Sequence, residues 1–205
     1  MNQEIKDETM IVVISGPSGV GKSEVIKKLL NRPPDDRHPN FYFCVSATTR
    51  EPREGEVDHF NYYFTTEKHF KALVEEREFL EYASHYDHHY GTLRREVILA
   101  QTGSKIPLLD IDVEGHARLR KNPELQGKIF SIFLQPRNME VLKQQLINRD
   151  GVEDMKKIEG RLLRAPDEMK RRSSFLILPR TIFRNRLRSD SIFIGIDPVP
   201  IMLFY

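Results

Sequence analysis

The sequence lacks several features that would place it in particular protein classes. Its single cysteine, Cys44, excludes an internal disulfide framework and is typical of a reducing compartment. Lysine and arginine total 32 against 30 aspartate and glutamate residues, so a net charge of +2 gives no general affinity for nucleic acid or membranes. No apolar run is long enough to cross a bilayer, and the acidic N-terminus MNQEIKDET resembles no targeting peptide. We therefore expect a cytoplasmic protein without nucleic-acid or membrane partners.

Apolar runs alternate with helical patterns along the chain. Continuous apolar runs at residues 10–14, 106–111 and 129–134 predict buried parallel strands, and residues 22–30 predict a helix. Residues 41–63 are rich in aromatic side chains around a charged loop, and predict a small antiparallel insert that a helix at residues 67–79 follows. The sequence therefore predicts a single α/β domain with a parallel sheet flanked by helices and a small insert.

A glycine-rich turn between the first predicted strand and helix fits the phosphate-binding pattern G-x-x-x-x-G-K-[ST] at every required position. Its residues are Gly16, Pro17, Ser18, Gly19, Val20, Gly21, Lys22 and Ser23. Glycines let backbone N–H groups turn toward phosphate oxygens, and the helix N-terminus adds partial positive charge. We expect Lys22 to reach the β- and γ-phosphates of ATP and Ser23 to offer a hydroxyl to Mg²⁺. A turn without function is the alternative, which the flanking strand and helix disfavour.

Two aspartates end the second predicted strand. Asp110 and Asp112 stand at the carboxyl end, where open α/β sheets bind ligands, and strand alternation predicts that they share one side. One would serve Mg²⁺, which we assign to Asp110 with Ser23, and the other would serve a substrate donor. The alternative is a pair of capping or turn residues.

Five further motifs resemble those of the guanylate kinase family, in the family's order from about residue 11 to residue 168. They are S-x-T-T-R-x-P-R-x-G-E at residues 46–56, FLEYA at 79–83, YGT at 90–92, LDIDVEG at 109–115 and R-L-x-x-A-x-x-E at 161–168. The resemblance implies a P-loop kinase fold with core residues 10–40, 93–147 and 173–205, a GMP-binding insert at 41–92 and a mobile lid at 148–172. It also implies direct in-line transfer of the γ-phosphate of Mg·ATP to GMP or dGMP by a monomer, with a dimer as the alternative.

The same resemblance implies roles for individual residues. The GMP-binding residues would be Ser46, Arg50, Arg53, Tyr62, Glu81, Tyr90, Thr92 and Asp112. Paired guanidinium groups suit a phosphate, with hydroxyl donors beside them. Carboxylate acceptors match the N1–H and the amino group of guanine, whereas the unprotonated N1 of adenine would face them repulsively.

Three residues would act on the transferred phosphoryl group. The resemblance implies Lys22 from the phosphate loop and the lid arginines Arg149 and Arg161, which would close over ATP. The interval between the two arginines is slightly longer than in the family.

Two alternative functions remain at this point. One is a non-catalytic guanylate kinase-like interaction module, and such modules typically lose a working phosphate loop, which this chain keeps. The other is a kinase for a different nucleoside monophosphate, and the pairing of Glu81 with Asp112 argues against AMP.

The resemblance stops after residue 168, except that Phe175 stands where the family has an aromatic residue. The family continues with an apolar strand, an Asn-Asp turn that helps to hold adenine, and a closing amphipathic helix. Here Pro179 follows a short apolar run, and residues 181–205 show no helical face. Genuine divergence with a weakened adenine site and a shifted reading frame near codons 175–176 are the two explanations.

The coding DNA distinguishes these explanations. A shifted frame predicts that one alternative frame after codon 175 encodes an aromatic–aspartate pair, an Asn-Asp turn and an amphipathic helix. If neither alternative frame encodes these elements, the frameshift is ruled out and the C-terminal segment is native.

Overall fold

The computed structural model describes residues 4–31, 40–85, 88–151, 155–171, 176–179, 191–194 and 201–204. In chain order the elements are β1 (Ile11–Ser15), α1 (Lys22–Leu30), β2 (Phe41–Phe43), β3 (Ser46–Thr48), β4 (Tyr63–Phe64), α2 (Glu67–Glu75), β5 (Phe79–His85), β6 (His88–Leu93), α3 (Arg94–Thr102), β7 (Ile106–Asp110), α4 (Val113–Leu119), a 3-10 turn (Pro123–Leu125), β8 (Ile129–Gln135), α5 (Met139–Asp150), α6 (Met155–Lys170), β9 (Leu176–Pro179), β10 (Ser191–Ile194) and β11 (Ile201–Phe204). The chain forms two compact units, residues 1–13 with 41–130 and residues 14–40 with 131–205.

The predicted parallel sheet is present. Its strand order is β2-β7-β1-β8-β9, and the pairs β2–β7 and β8–β9 run parallel. Strand β1 is buried at all five positions, and β8 at its five central positions. The continuous apolar runs in the sequence therefore reflect burial on both faces, and the three predicted strands and the helix at residues 22–30 are confirmed to within one residue.

The first unit also contains a second, mixed sheet of order β4-β3-β6-β5. Strand β3 pairs parallel with β4 and antiparallel with β6, and β6 pairs antiparallel with β5. The predicted antiparallel insert at residues 41–63 is wrong in two respects, because β2 belongs to the parallel sheet and β3–β4 pairing is parallel. Aromatic content indicated strands in this segment, but not their partners or directions.

The helix predicted at residues 67–79 ends at Glu75. Arg77 adopts the left-handed conformation with φ 59°, and the Glu78 N–H donates back to the Leu73 carbonyl at 3.0 Å, which stops the helix. Phe79 instead begins β5 and stacks on Phe70 with ring centroids 4.5 Å apart. Phe79 therefore packs on the same core as Phe70 from a strand and not from the helix.

The core of the first unit gathers side chains from the N-terminal segment, β1, β7 and the helices around them. Its buried members are Ile5, Ile11, Val13, Cys44, Leu80, Val97, Leu109, Ile111, Leu119 and Leu125. Cys44 is 1% exposed, and burial together with the nearby Glu96 raises the pKa of its thiol, so it behaves as a small apolar side chain.

In the second unit, helices occupy the segment that was predicted to be a lid. The described part of residues 148–172 is largely helical, with the end of α5 and all of α6, and these two helices pack on each other. Helix α6 continues through Pro166, whose side chain is exposed. The mobility of this segment stays a prediction, as do the proposed boundaries of core, insert and lid.

The last described elements, β10 and β11, pair antiparallel with Ser191 opposite Phe204. Phe175 and most of residues 180–200 lie outside the described residues. None of the helices that the structure describes is both long and apolar enough to cross a membrane.

We predict that Pro166→Ala stabilises the protein. Proline inside a helix removes one backbone hydrogen bond and costs up to about 3 kcal/mol relative to alanine. The free energy of unfolding in urea should rise by about 1–3 kcal/mol. Leu163→Ala, at a position 79% exposed on the same helix, serves as the control and should change it by less than about 0.5 kcal/mol. Equal stability of wild type and Pro166→Ala would contradict the prediction.

Candidate active site

The phosphate loop has the backbone geometry that its glycines predict. Gly16, Gly19 and Gly21 all have positive φ, at 146°, 86° and 93°. A Cβ on Gly16 would lie 2.4 Å from the Leu134 carbonyl oxygen, so only glycine fits there. Lys22 Nζ donates to the Gly16 carbonyl at 3.0 Å, which folds the lysine back over its own loop. The ammonium group is therefore held beside the concave side of the turn.

Residues around the loop agree in part with the predicted arginine roles. Arg149 Nη2, in the last turn of α5, lies 3.5 Å from Ser18 Oγ in the loop. Arg161 is half-buried on α6, which packs on α5. Ser23 is exposed in the first turn of α1, with its hydroxyl at the helix N-terminus. Arg149 thus lies beside the phosphate loop, and the predicted closure of Arg149 and Arg161 over ATP stays a prediction.

A second group of predicted residues lies in the first unit, around Arg50. Both terminal nitrogens of the Arg50 guanidinium contact Glu56, with Nη2 2.9 Å from Oε1 and Nη1 2.9 Å from Oε2. The Arg53 backbone N–H donates to the same carboxylate at 2.8 Å. Burial alone would lower the pKa of Arg50, but hydrogen bonds with Glu56 and Tyr90 raise it. Glu56 therefore fixes the loop that carries both arginines, a role that the sequence analysis missed although Glu56 closes the motif.

Aromatic side chains surround this guanidinium. The Arg50 Cζ lies 5.4 Å from the Tyr62 ring centroid, and the Tyr62 and Tyr90 rings meet edge-on at 6.1 Å. Burial, followed by the Asp110 carboxylate, raises the pKa of Tyr62, so its hydroxyl stays protonated as a donor. Ser46 is half-buried on β3, opposite Thr92 of β6. The structure brings Arg50, Tyr62 and Tyr90 together as predicted.

The three residues predicted to read the base also meet. Glu81 is 8% exposed, and its Oε1 accepts from Thr92 Oγ1 at 2.7 Å. Asp112 Oδ1 accepts from the Gly115 N–H at 2.7 Å, which caps α4. A Cβ on Gly115 would lie 2.9 Å from Glu81 Oε2, so this glycine lets α4 approach the Glu81 carboxylate. The LDIDVEG motif thus places two carboxylates near each other through a helix N-terminus.

Burial dominates the electrostatics of this pair. It raises the pKa of Glu81 to about 7, and the Asp112 carboxylate acts in the same direction. Hydrogen bonds from Thr92 and the charge of Arg118 oppose this rise without cancelling it. A ligand that offers N–H donors to Glu81 would favour its charged form and lower its pKa.

One sequence-based expectation needs correction here. Asp112 does not share a face of β7 with Asp110 by alternation, because β7 ends at Asp110 and Asp112 is the N-cap of α4. The capping alternative is therefore right for Asp112, which lies beside Glu81 all the same. Gly91 accommodates the Phe79 ring, because a Cβ on this glycine would lie 2.6 Å from that side chain.

The fold and these residues define a P-loop nucleotide-binding protein of the α/β class. Comparison with known proteins narrows this class. A family model described as guanylate kinase matches residues 8–179. Guanylate kinase of Helicobacter pylori is 41% identical over 165 residues, 80% of this chain and 76% of that protein, and guanylate kinase of Campylobacter jejuni is 37% identical over 171 residues, 83% and 79% of the two chains.

A solved structure gives the same result. The crystal structure of guanylate kinase from Anaplasma phagocytophilum matches with a TM-score of 0.64 and 26% identity, covering 85% of this chain and 78% of that one. The chain belongs to the guanylate kinase family.

We predict that Glu81→Gln separates activity from stability. The amide keeps the hydrogen bond from Thr92 but offers a donor toward guanine N1–H. The fall in kcat/KM for GMP should therefore correspond to a loss of about 1–3 kcal/mol of transition-state binding. The pKa of Glu81 in the folded protein, about 7, exceeds the ordinary glutamate value of 4.5, so ionisation destabilises the fold as pH rises from 4.5 to 7. Glu81→Gln should therefore be the more stable protein at pH 8, by at most about 3 kcal/mol.

The same pKa gives the pH dependence of the wild type. Because GMP needs the charged carboxylate, KM for GMP should rise as pH falls below about 7, and Glu81→Gln should lose this dependence. Glu76→Gln, at an exposed position, is the matched control for kinetics and urea unfolding. A pH-independent KM in the wild type would show that Glu81 does not contact the base.

Proposed function

We propose that the chain transfers the γ-phosphate of Mg·ATP to GMP or dGMP, giving ADP and GDP. The observation that supports GMP as the acceptor is the buried Glu81 carboxylate. It accepts a hydrogen bond from Thr92 and lies beside Asp112, at the point where Gly115 lets α4 come close to it. Guanine offers two donors to such acceptors, whereas adenine would leave them unpaired. The relatives named guanylate kinase support the same reaction.

The GMP phosphate would bind at the arginine group of the first unit. Arg50 and Arg53 supply guanidinium donors, and Tyr62, Tyr90 and Ser46 supply hydroxyls. Glu56 keeps Arg50 oriented through two contacts of 2.9 Å, so less rotamer entropy is lost when a phosphate arrives. Because a dianionic phosphate carries more negative charge than the Glu56 carboxylate, it would bind the Arg50 guanidinium together with Glu56.

The ATP phosphates would bind at the phosphate loop of the second unit. Lys22 would neutralise charge on the transferring group, with Arg149 and Arg161 as further cations. The contacts of Lys22 with the Gly16 carbonyl and of Arg149 with Ser18 support these roles. Ser23 and Asp110 are oxygen donors, which is the ligand type that Mg²⁺ prefers. When bound with ATP, Mg²⁺ supplies charge neutralisation at the phosphates.

These residues support direct in-line transfer without a covalent intermediate. The role of the protein is positioning and electrostatic stabilisation, with water excluded to suppress ATP hydrolysis. The complete loop geometry of Gly16, Gly21 and Lys22 disfavours a non-catalytic interaction module. The monomeric state, the cytoplasmic location and lid closure stay predictions.

The test is a coupled assay of ADP formation from Mg·ATP with GMP, AMP, UMP and CMP as acceptors. GMP should be the preferred substrate, and Lys22→Ala should lower kcat by at least about 100-fold because it removes charge stabilisation from the transition state. Lys27→Ala removes an exposed lysine from the same helix and should leave kcat within about twofold. Similar kcat/KM for AMP and GMP would refute the assignment of the acceptor, and robust activity of Lys22→Ala would refute the role of the lysine.

A further inference from the structure

Helix α3 carries a buried carboxylate to which the proposed reaction gives no part. Glu96 is 0% exposed and lies in the first turn of α3. Its Oε1 accepts from Tyr63 Oη at 2.7 Å, and its Oε2 accepts from the Val45 N–H at 3.0 Å and from Tyr42 Oη at 3.3 Å. Three donors offset the cost of removing a charged group from water.

Two of the three donors to Glu96 are sequence neighbours of residues assigned to the GMP phosphate. Val45 directly precedes Ser46, and Tyr63 directly follows Tyr62. Residues Ala47 and Tyr63 are also paired across β3 and β4. One side chain therefore ties together the starts of the two short strands, beside Ser46 and Tyr62, whose hydroxyls are assigned to the phosphate.

Helix α3 itself continues from the third such strand. Strand β6 carries Tyr90 and Thr92 and ends at Leu93, and α3 begins at Arg94. The Glu96 carboxylate thus links β3, β4 and the β6–α3 junction at one buried point. Strands of two and three residues have few ladder hydrogen bonds of their own, so an added tie has a large effect on their placement.

We propose that Glu96 is a positioning residue, which holds the backbones of Ser46 and Tyr62 at the spacing that the phosphate of a nucleoside monophosphate requires. The inference rests on the proposed function, because it names what supports the phosphate end of that site. Glu96 acts through Val45 and Tyr63 and does not touch the substrate. A misplacement of either hydroxyl weakens binding of GMP without a change at the phosphate loop.

Tyr63 permits a clean test because two different groups hold it. The Arg95 guanidinium carbon lies 4.6 Å from the centroid of its ring, and Glu96 accepts from its hydroxyl. Tyr63→Phe keeps the ring under Arg95 and removes the hydroxyl, with its hydrogen bonds to Glu96 and to Arg95. Tyr42→Phe is the matched control, since it also removes one tyrosine hydroxyl from Glu96, but on strand β2, which carries no residue assigned to GMP.

The experiment measures KM for GMP, KM for ATP and kcat of both variants, together with their thermal stability. Tyr63→Phe should raise KM for GMP by about three- to tenfold, with KM for ATP and kcat within about twofold of the wild type. Tyr42→Phe should leave all three constants within about twofold of the wild type, even if it lowers the melting temperature as much as Tyr63→Phe does. An unchanged KM for GMP in Tyr63→Phe, or an equal rise in both variants, would overturn the proposal, because a purely structural role predicts no such difference.

A double variant assigns the effect to Glu96. Glu96→Gln alone should raise KM for GMP, and Glu96→Gln with Tyr63→Phe should raise it by less than the product of the two single changes. Multiplicative effects would show that Tyr63 acts independently of Glu96 and would overturn the proposal. If wild type turns over no GMP, the proposed function fails by itself, and calorimetric GMP titration of wild type, Tyr63→Phe and Tyr42→Phe then tests the positioning role by the same comparison of Kd.

Discussion

A carboxylate removed from water must find donors, and this constraint shapes the first unit of the protein. Glu56 finds the guanidinium of Arg50, and Glu96 finds two tyrosine hydroxyls and a backbone N–H. Glu81 differs, because the hydrogen bonds from Thr92 leave its pKa raised to about 7. The first two groups are satisfied by the fold and therefore organise it. The third keeps a raised pKa in the free protein because burial disfavours its charge, and N–H donors from a bound base would favour the charged form.

The same contrast separates rigid parts of the site from parts that respond to substrate. Glu56 and Glu96 act on backbone and on neighbouring side chains, so their effect is present before any nucleotide arrives. Glu81 would have its full effect only with a base bound. The proposed phosphate end, which Glu56 and Glu96 would preorganise, and the Glu81 carboxylate at the proposed base end together support GMP as the acceptor.

The sequence predicted those features that depend on local pattern. Strand β1, the phosphate loop and α1 follow from a continuous apolar run, three glycines and a helical face, and all three are observed. The end of α2 was missed, because stacking of Phe79 on Phe70 is a contact between elements. Glu96 could not be found either, since a glutamate in a first helical turn normally faces water and its donors are 33 to 54 residues away. Pro179 ends the apolar run in the sequence, and it is the last residue of β9. This strand lies at the edge of its sheet, where the missing backbone N–H of a proline costs little.

The burial of Cys44 makes the chain's single thiol a reporter of opening. The thiolate is the nucleophile that attacks a thiol-reactive reagent, and Cys44 is 1% exposed with a raised pKa, so the folded first unit protects it from labelling. Each modification event therefore records that the packing around β2 and β7 has separated. Labelling of Cys44 can therefore report whether the first unit is folded, without an activity measurement and without an introduced cysteine.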